Sequence, residues 1–193
     1  SASKSAAENI CIAYENTYKI PLMIVNVMNA FGERQHPEKF IPKCIQAVLK
    51  GEKVYIHSYP DKKTAGTRFY IHARNIAAAV VFLLKNGSIG EKYNITGESE
   101  VSNLELAQFI AKTLRKELKY EMVNHHATRP GHDLRYGLSG EKMAKMGWVP
   151  PLGFEDSLRK CIEWTAINSQ WLSLKQWADE PSSSDDVTTK SRL

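Results

Sequence analysis

The stretch SASKSAAENICIAYENTYKIPLMIVNV, residues 1–27, decides the fold class. Ala2, Ala6, Ala7, Ile10, Ala13 and Tyr14 recur at helical spacing, so the chain opens on a helix. No residue is left in front of Ser1 to cap it, and the reading therefore expects further chain upstream. PLMIVNV (21–27) is a nearly unbroken aliphatic and β-branched run, the pattern of a strand buried on both faces of a parallel sheet. A helix feeding a buried strand is half of an α/β unit.

Working outward, the loop MNAFGERQH (28–36) leads to PEKFIPKCIQAVLKG (37–51). There Phe40, Ile41, Cys44, Ile45, Val48 and Leu49 form a helical stripe that Gly51 can stop, and Pro42 falls early enough for the first turn. KVYIH (53–57) and RFYIH (68–72) read as strands on either side of the polar loop SYPDKKTAGT (58–67). ARNIAAAVVFLLKNG (73–87) reads as a helix closed by Asn86-Gly87, and EKYNITG (91–97) as a strand. Ser102 and Glu105 have capping-box spacing and open the helix NLELAQFIAKTLRKEL (103–118). A strand KYEMV (119–123), the charged loop RPGHDLRYGLS (129–139), a short helix EKMAKMG (141–147), a Pro-Pro break and the helix FEDSLRKCIEWTAIN (154–168) follow. DEPSSSDDVTTKSRL (179–193) lacks apolar anchors and reads as a disordered tail.

At 193 residues the chain suits one ordinary domain or part of a larger one. Its 42% hydrophobic and 24% charged residues suit a globular protein, and no apolar run approaches the roughly 18 residues of a membrane span. The net charge of +5 arises from 26 basic and 21 acidic residues scattered along the chain. That balance favours anions mildly and forms no nucleic-acid stripe. Cys11, Cys44 and Cys161 lack CxxC spacing and read as reduced thiols of a cytoplasm. The sequon Asn94-Ile95-Thr96 ends an apparent strand and has no signal peptide before it, which argues against glycosylation.

Two arginines, a histidine, an aspartate and a tyrosine crowd the Pro-Gly turn of RPGHDLRYGLS. A metal site would draw on His125, His126, His132 and Asp133. Their spacing lacks the one-face logic of HExxH and the arginines repel a cation, so an anion grip is the better reading and no metal is expected. Ser1-x-x-Lys4 matches a serine-nucleophile motif, but no SDN or KTG element follows it.

SASKSAAE, NAFGERQHPEKFIP, RFYIHARNIAAAV, GEKYNITG, RPGHDLRYGLSGEKMAKMGW and IEWTAINSQW together resemble, in order, the C-terminal portion of extended short-chain dehydrogenase/reductases acting on sugar nucleotides. Within these they look most like the nucleoside-diphosphate-glucose 4,6-dehydratases. The resemblance runs from Ser1 to about Leu172. It implies an α/β fold: the C-terminal part of a Rossmann-like parallel sheet plus a smaller α/β substrate-binding domain. Residues 1–36 would end the NAD-binding domain, 37–172 would be mainly nucleotide-sugar-binding with interleaved Rossmann elements, and 173–193 would be a polar tail.

The implied chemistry is NAD-dependent dehydration of dTDP- or UDP-glucose. A hydride leaves C4 for the cofactor, water is lost across C5 and C6, and the hydride returns to C6. Lys4 would be the lysine of the family's Tyr-x-x-x-Lys helix, with the tyrosine, the glycine-rich turn and the acidic dehydration pair upstream of Ser1. A lysine one turn from a tyrosine stabilises its phenolate, and in the family it also holds the nicotinamide ribose. Taken alone, Lys4 reads as a solvated helix lysine.

Asn29 would contact cofactor or substrate phosphate, and Lys39 and Phe40 would approach the nucleotide. Arg68, Asn94 and Arg129 would bind the diphosphate, His132 would lie near the nucleotide, and Tyr55 and His57 would border the base. The chain departs from the family at Asn26, where an arginine is usual, at Glu33, where proline is usual, and in the long loop 58–67. A cytoplasmic homodimer binding a sugar nucleotide, and neither nucleic acid nor membrane, is expected. A related 4-epimerase or a non-catalytic sugar-nucleotide-binding module are the alternatives.

Overall fold

The computed structural model describes residues 2–124 and 133–173. The chain forms α1 (Ala2–Tyr18), β1 (Ile24–Val27), β2 (Asn29–Phe31), α2 (Phe40–Lys50), β3 (Val54–Ser58), β4 (Thr67–His72), α3 (Ala73–Asn86) and β5 (Lys92–Ile95). It continues through β6 (Glu100–Ser102), α4 (Asn103–Thr113), β7 (Tyr120–Asn124), β8 (Arg135–Tyr136), α5 (Glu141–Lys145), α6 (Phe154–Ile167) and a 3₁₀ turn (Ser169–Leu172). The expected tail lies almost wholly outside the described residues.

Helix and strand alternate, and most pairing is parallel: β1 with β5, β2 with β4 and β3 with β7. The short β6 runs antiparallel to β4, and β8 joins the start of β4 in parallel. β4 is the wall between two cores, because successive side chains of a strand point to opposite faces. Tyr70 belongs to the larger core, where Ile45 of α2, Ile110 of α4 and Ile162 of α6 close over Ile56. Ile71 belongs to the smaller one, with Ala79 and Leu83 of α3, Tyr93 and Ile95 of β5, and Met143 of α5.

Local chemistry explains most boundaries. Gly51 ends α2 in the left-handed conformation at φ 69°, where only glycine escapes a Cβ penalty. Ser102 and Glu105 complete both bonds of the capping box of α4.

Three expectations need correction. The strand read at 21–27 spans only Ile24–Val27 and is not buried on both faces: Val25 and Val27 are 39% and 37% exposed. Among the described residues β1 pairs with β5 in a two-stranded sheet. The helix read over 103–118 stops at Thr113. Arg115 turns the chain at φ 53°, which brings Leu118 back against the larger core. The loop read at 28–36 contains β2, a three-residue strand too short to show a period.

Candidate functional site

Parallel pairing brings the C-terminal ends of β1, β5, β2 and β4 onto the loops that follow them, where open α/β sheets bind ligands. Asn26 and Asn94 are register partners on β1 and β5. Asn26 Nδ2 donates to Asn94 Oδ1 at 3.2 Å, and Asn94 Nδ2 donates to the Ser139 carbonyl at 3.0 Å.

Beyond β2, the Glu33 carboxylate lies 3.3 Å from His72 Nε2 and 3.7 Å from the Arg74 guanidinium. His72 Nδ1 accepts the Arg74 backbone N–H at 3.2 Å, which leaves the ring proton on Nε2, facing Glu33. Burial holds the His72 pKa below its usual 6.5, against the opposing pull of Glu33. The imidazole is thus a neutral donor at neutral pH, edge-on to Phe31 at 5.2 Å.

A strap, residues 133–140, crosses from the start of β4 to the end of β5. The Leu134 carbonyl accepts the Thr67 N–H at 2.9 Å and Arg68 Nη1 at 2.7 Å. Arg68 also donates to the carbonyls of Thr67, at 2.7 Å, and Asp133. Gly66 permits this approach, since a Cβ there would stand 2.7 Å from the Leu134 carbonyl oxygen. Arg135 grips Glu100 with both Nε and Nη2, at 2.8 and 2.9 Å, and Thr67 Oγ1 donates to the same carboxylate at 2.5 Å. These bonds hold the Glu100 carboxyl below its usual range.

The expected site residues fall into separate groups. Lys4 is exposed on α1, which meets the body through an ion pair of Glu8 with Lys92. Lys39 is exposed at the N-cap of α2 with no side-chain cap bond, and Phe40 behind it packs against the larger core. Tyr55 and His57 share one face of β3, exposed and half-buried respectively. The insertion after them closes on itself through the Ser58–Ala65 bridge and an Asp61 turn, and Gly66 N–H bonds the His57 carbonyl at 3.0 Å. His57 and Arg68 are thereby held on neighbouring backbone.

Asn29 pairs with Tyr70, further along β4. Arg129 and His132 lie outside the described residues, as do His125 and His126. The strap links Arg68 to Asn94, whereas Lys4 sits apart on its own helix.

Sequence reading missed the Glu33–His72 and Arg135–Glu100 pairs. Only the register of β4 with β2, β6 and β8 joins their partners. Cys44 and Cys161, with pKa values pushed up to about 12 by burial, are inert as nucleophiles. Among the described residues, no cluster of three or more His, Cys, Asp or Glu side chains is arranged to hold a metal.

Residues 1–96 match the NAD dependent epimerase/dehydratase family. The chain is 34% identical over 178 residues to dTDP-glucose 4,6-dehydratase 1 of Escherichia coli K12, covering 89% of this chain and 48% of that protein. The structure superposes on dTDP-glucose 4,6-dehydratase from Streptomyces venezuelae, solved with NAD and TYD bound, with a TM-score of 0.78 and 30% identity, over 89% of this chain and 53% of that one. It also matches UDP-glucose 4-epimerase of Thermus thermophilus, solved with NAD, with a TM-score of 0.74 and 25% identity, over 86% of this chain and 53% of that one. The chain spans about half the length of the curated relatives it matches. Over about half of their length the chain is similar, in sequence and in fold, to dTDP-glucose 4,6-dehydratases, and its residues 1–96 match the NAD dependent epimerase/dehydratase family.

Proposed function

We propose that the full-length protein is an NAD-dependent sugar-nucleotide 4,6-dehydratase, a lyase that converts dTDP- or UDP-glucose to its 4-keto-6-deoxy form. The observation that carries this reading is the 34% identity to a dTDP-glucose 4,6-dehydratase sustained over 89% of the chain. Residues 1–36 then complete the NAD-binding domain, and 37–172 contribute most of the nucleotide-diphosphate pocket.

NAD, when bound, supplies hydride acceptance and return. Lys4 fits that cofactor: its side chain is exposed on α1, where an ammonium can hold a ribose hydroxyl and stabilise a phenolate one turn away. Asn29, the first residue of β2, serves cofactor or substrate phosphate. In this reading Lys39, Phe40, Tyr55, His57 and His132 serve the nucleotide, and Arg68, Asn94 and Arg129 serve the diphosphate.

The three free thiols favour a cytoplasmic protein. Among the described residues, no helix is long and apolar enough to cross a membrane. A homodimer follows from the resemblance, since members of that family commonly pair through helices that include the one matched by α1. Neither nucleic acid nor membrane is a partner in this reading.

The test is turnover of dTDP-glucose and UDP-glucose by the full-length gene product, with products identified by NMR. A 4-keto-6-deoxy product supports the dehydratase. A 4-epimer would move the assignment to the epimerase that the T. thermophilus likeness suggests. Lys4→Met should lower kcat at least about a hundredfold while dTDP binding is kept. Undiminished turnover in that variant would remove Lys4 from the redox centre.

A further inference from the structure

We propose that Glu33 is a positioning residue for nucleotide binding: through the His72 imidazole it holds the loop between β2 and α2, residues 32–39, and so sets where Lys39 and Phe40 stand. The role rests on the sugar-nucleotide reading above for what the loop meets. The hold itself rests on geometry.

Glu33 stands where the family pattern has a proline. Proline stiffens a loop by fixing its own φ, whereas glutamate leaves the backbone free and can hold the loop only through its side chain. Its carboxylate accepts the His72 Nε2–H at 3.3 Å, beside the N-terminus of α3, where negative charge is favoured. His72 is a fixed anchor. It is 3% exposed, its Nδ1 accepts the Arg74 N–H, and its ring is edge-on to Phe31, which is itself edge-on to Phe154. The second partner, Arg74, counts for less, because its side chain is 72% exposed and its guanidinium stays 3.7 Å away in water.

The two residues that follow tie the same stretch elsewhere. Arg34 turns the chain at φ 63° and lays its guanidinium 4.9 Å from the ring centroid of Trp171, in the 3₁₀ turn, and 5.8 Å from that of Trp164, on α6. Gln35 Nε2 donates to the Ala30 carbonyl of β2 at 2.7 Å. Three consecutive side chains thus bind the first half of the loop to its surroundings. The second half is a local turn, in which the His36 carbonyl accepts the Lys39 N–H at 3.0 Å and the chain leads straight into α2. A shift at Glu33 is therefore carried to Lys39, at the N-cap of α2, and to Phe40 behind it.

The test compares full-length wild type with Glu33→Ala and Glu33→Gln. Affinities for dTDP and UDP are read by calorimetry, KM and kcat on dTDP-glucose and UDP-glucose, and amide hydrogen exchange over residues 32–39 without ligand. Glu33→Ala should weaken nucleotide binding and raise KM about five- to tenfold, the worth of one hydrogen bond, with kcat within about twofold of wild type. Exchange over 32–39 should rise by about tenfold. Glutamine keeps an oxygen that accepts the His72 N–H, so Glu33→Gln should return binding and exchange to within about threefold of wild type.

Wild-type affinity and KM in Glu33→Ala, beside faster exchange, would leave a structural role only and overturn the proposal. A fall in kcat with KM kept would place Glu33 in the chemistry instead, and a Glu33→Gln variant as weak as Glu33→Ala would make the charge decisive rather than the His72 bond; either result overturns it. Wild-type protein that binds neither dTDP nor UDP would remove the sugar-nucleotide reading and this role with it, while exchange in the same samples still reads the hold of Glu33 on the loop.

Discussion

Asn75→Ala should destabilise the protein by about 2–3 kcal/mol, and the figure follows from two bonds. Asn75 lies near the start of α3 and is only 4% exposed. Its Nδ2 donates to the Leu152 carbonyl at 2.8 Å and its Oδ1 accepts the Leu152 N–H at 3.0 Å. Pro150 and Pro151 carry no N–H, so Leu152 is the first residue of the break able to bond through both of its backbone groups. The pair docks the break onto α3 and aims Phe154, the first residue of α6, at Phe31, with ring centroids 5.9 Å apart.

Removing the amide strands two backbone groups, each costing about 1–3 kcal/mol when fully buried. Leu152 is half-buried and regains part of that from water, which places the total in the lower half of the range. Asn75→Asp keeps the acceptor but sets a carboxylate oxygen against the Leu152 carbonyl, so it should be at least as unstable as the alanine variant. Urea unfolding of the full-length protein, followed by tryptophan fluorescence, measures both. A loss below about 0.5 kcal/mol for Asn75→Ala, or wild-type stability for Asn75→Asp, would refute the reasoning.

Gly97→Ala would put a Cβ 2.1 Å from the Tyr70 carbonyl oxygen, forcing β4 away from its neighbour. A loss of about 1–3 kcal/mol is expected, seen as a melting temperature several degrees lower; an unchanged melting temperature would show that the loop has room. Glu100 has a folded pKa lowered from 4.5, chiefly by its hydrogen bonds from Arg135 and Thr67. Its contribution is fully present above the unfolded pKa and is lost as pH falls through the folded value. Glu100→Gln should therefore be less stable than wild type near neutral pH, with the gap narrowing under acid. A gap that stays constant from pH 7 to pH 3 would rule out the carboxylate as its source.

Much of the fold was legible because its signals are local. The stripe of α2 with its Gly51 stop and the Ser102–Glu105 box of α4 each lie within a few residues of one another and follow from backbone geometry and cap chemistry. β2, β6 and β8, of three, three and two residues, carry no period to read and exist only because β4 offers them an edge.

The sequence by itself carried the family resemblance, the order of the helices and most strands, and the set of residues from which a site could be drawn. Only the tertiary structure decided how those residues are used. It turned Arg68 onto three carbonyls, joined Asn94 to Asn26 and the strap, and set His72 against Glu33. Such bonds join groups distant in the chain whose adjacency arises from strand register and the crossing of a loop. Periodicity and spacing record what a residue can do, and its neighbours in space fix which of those capacities is spent.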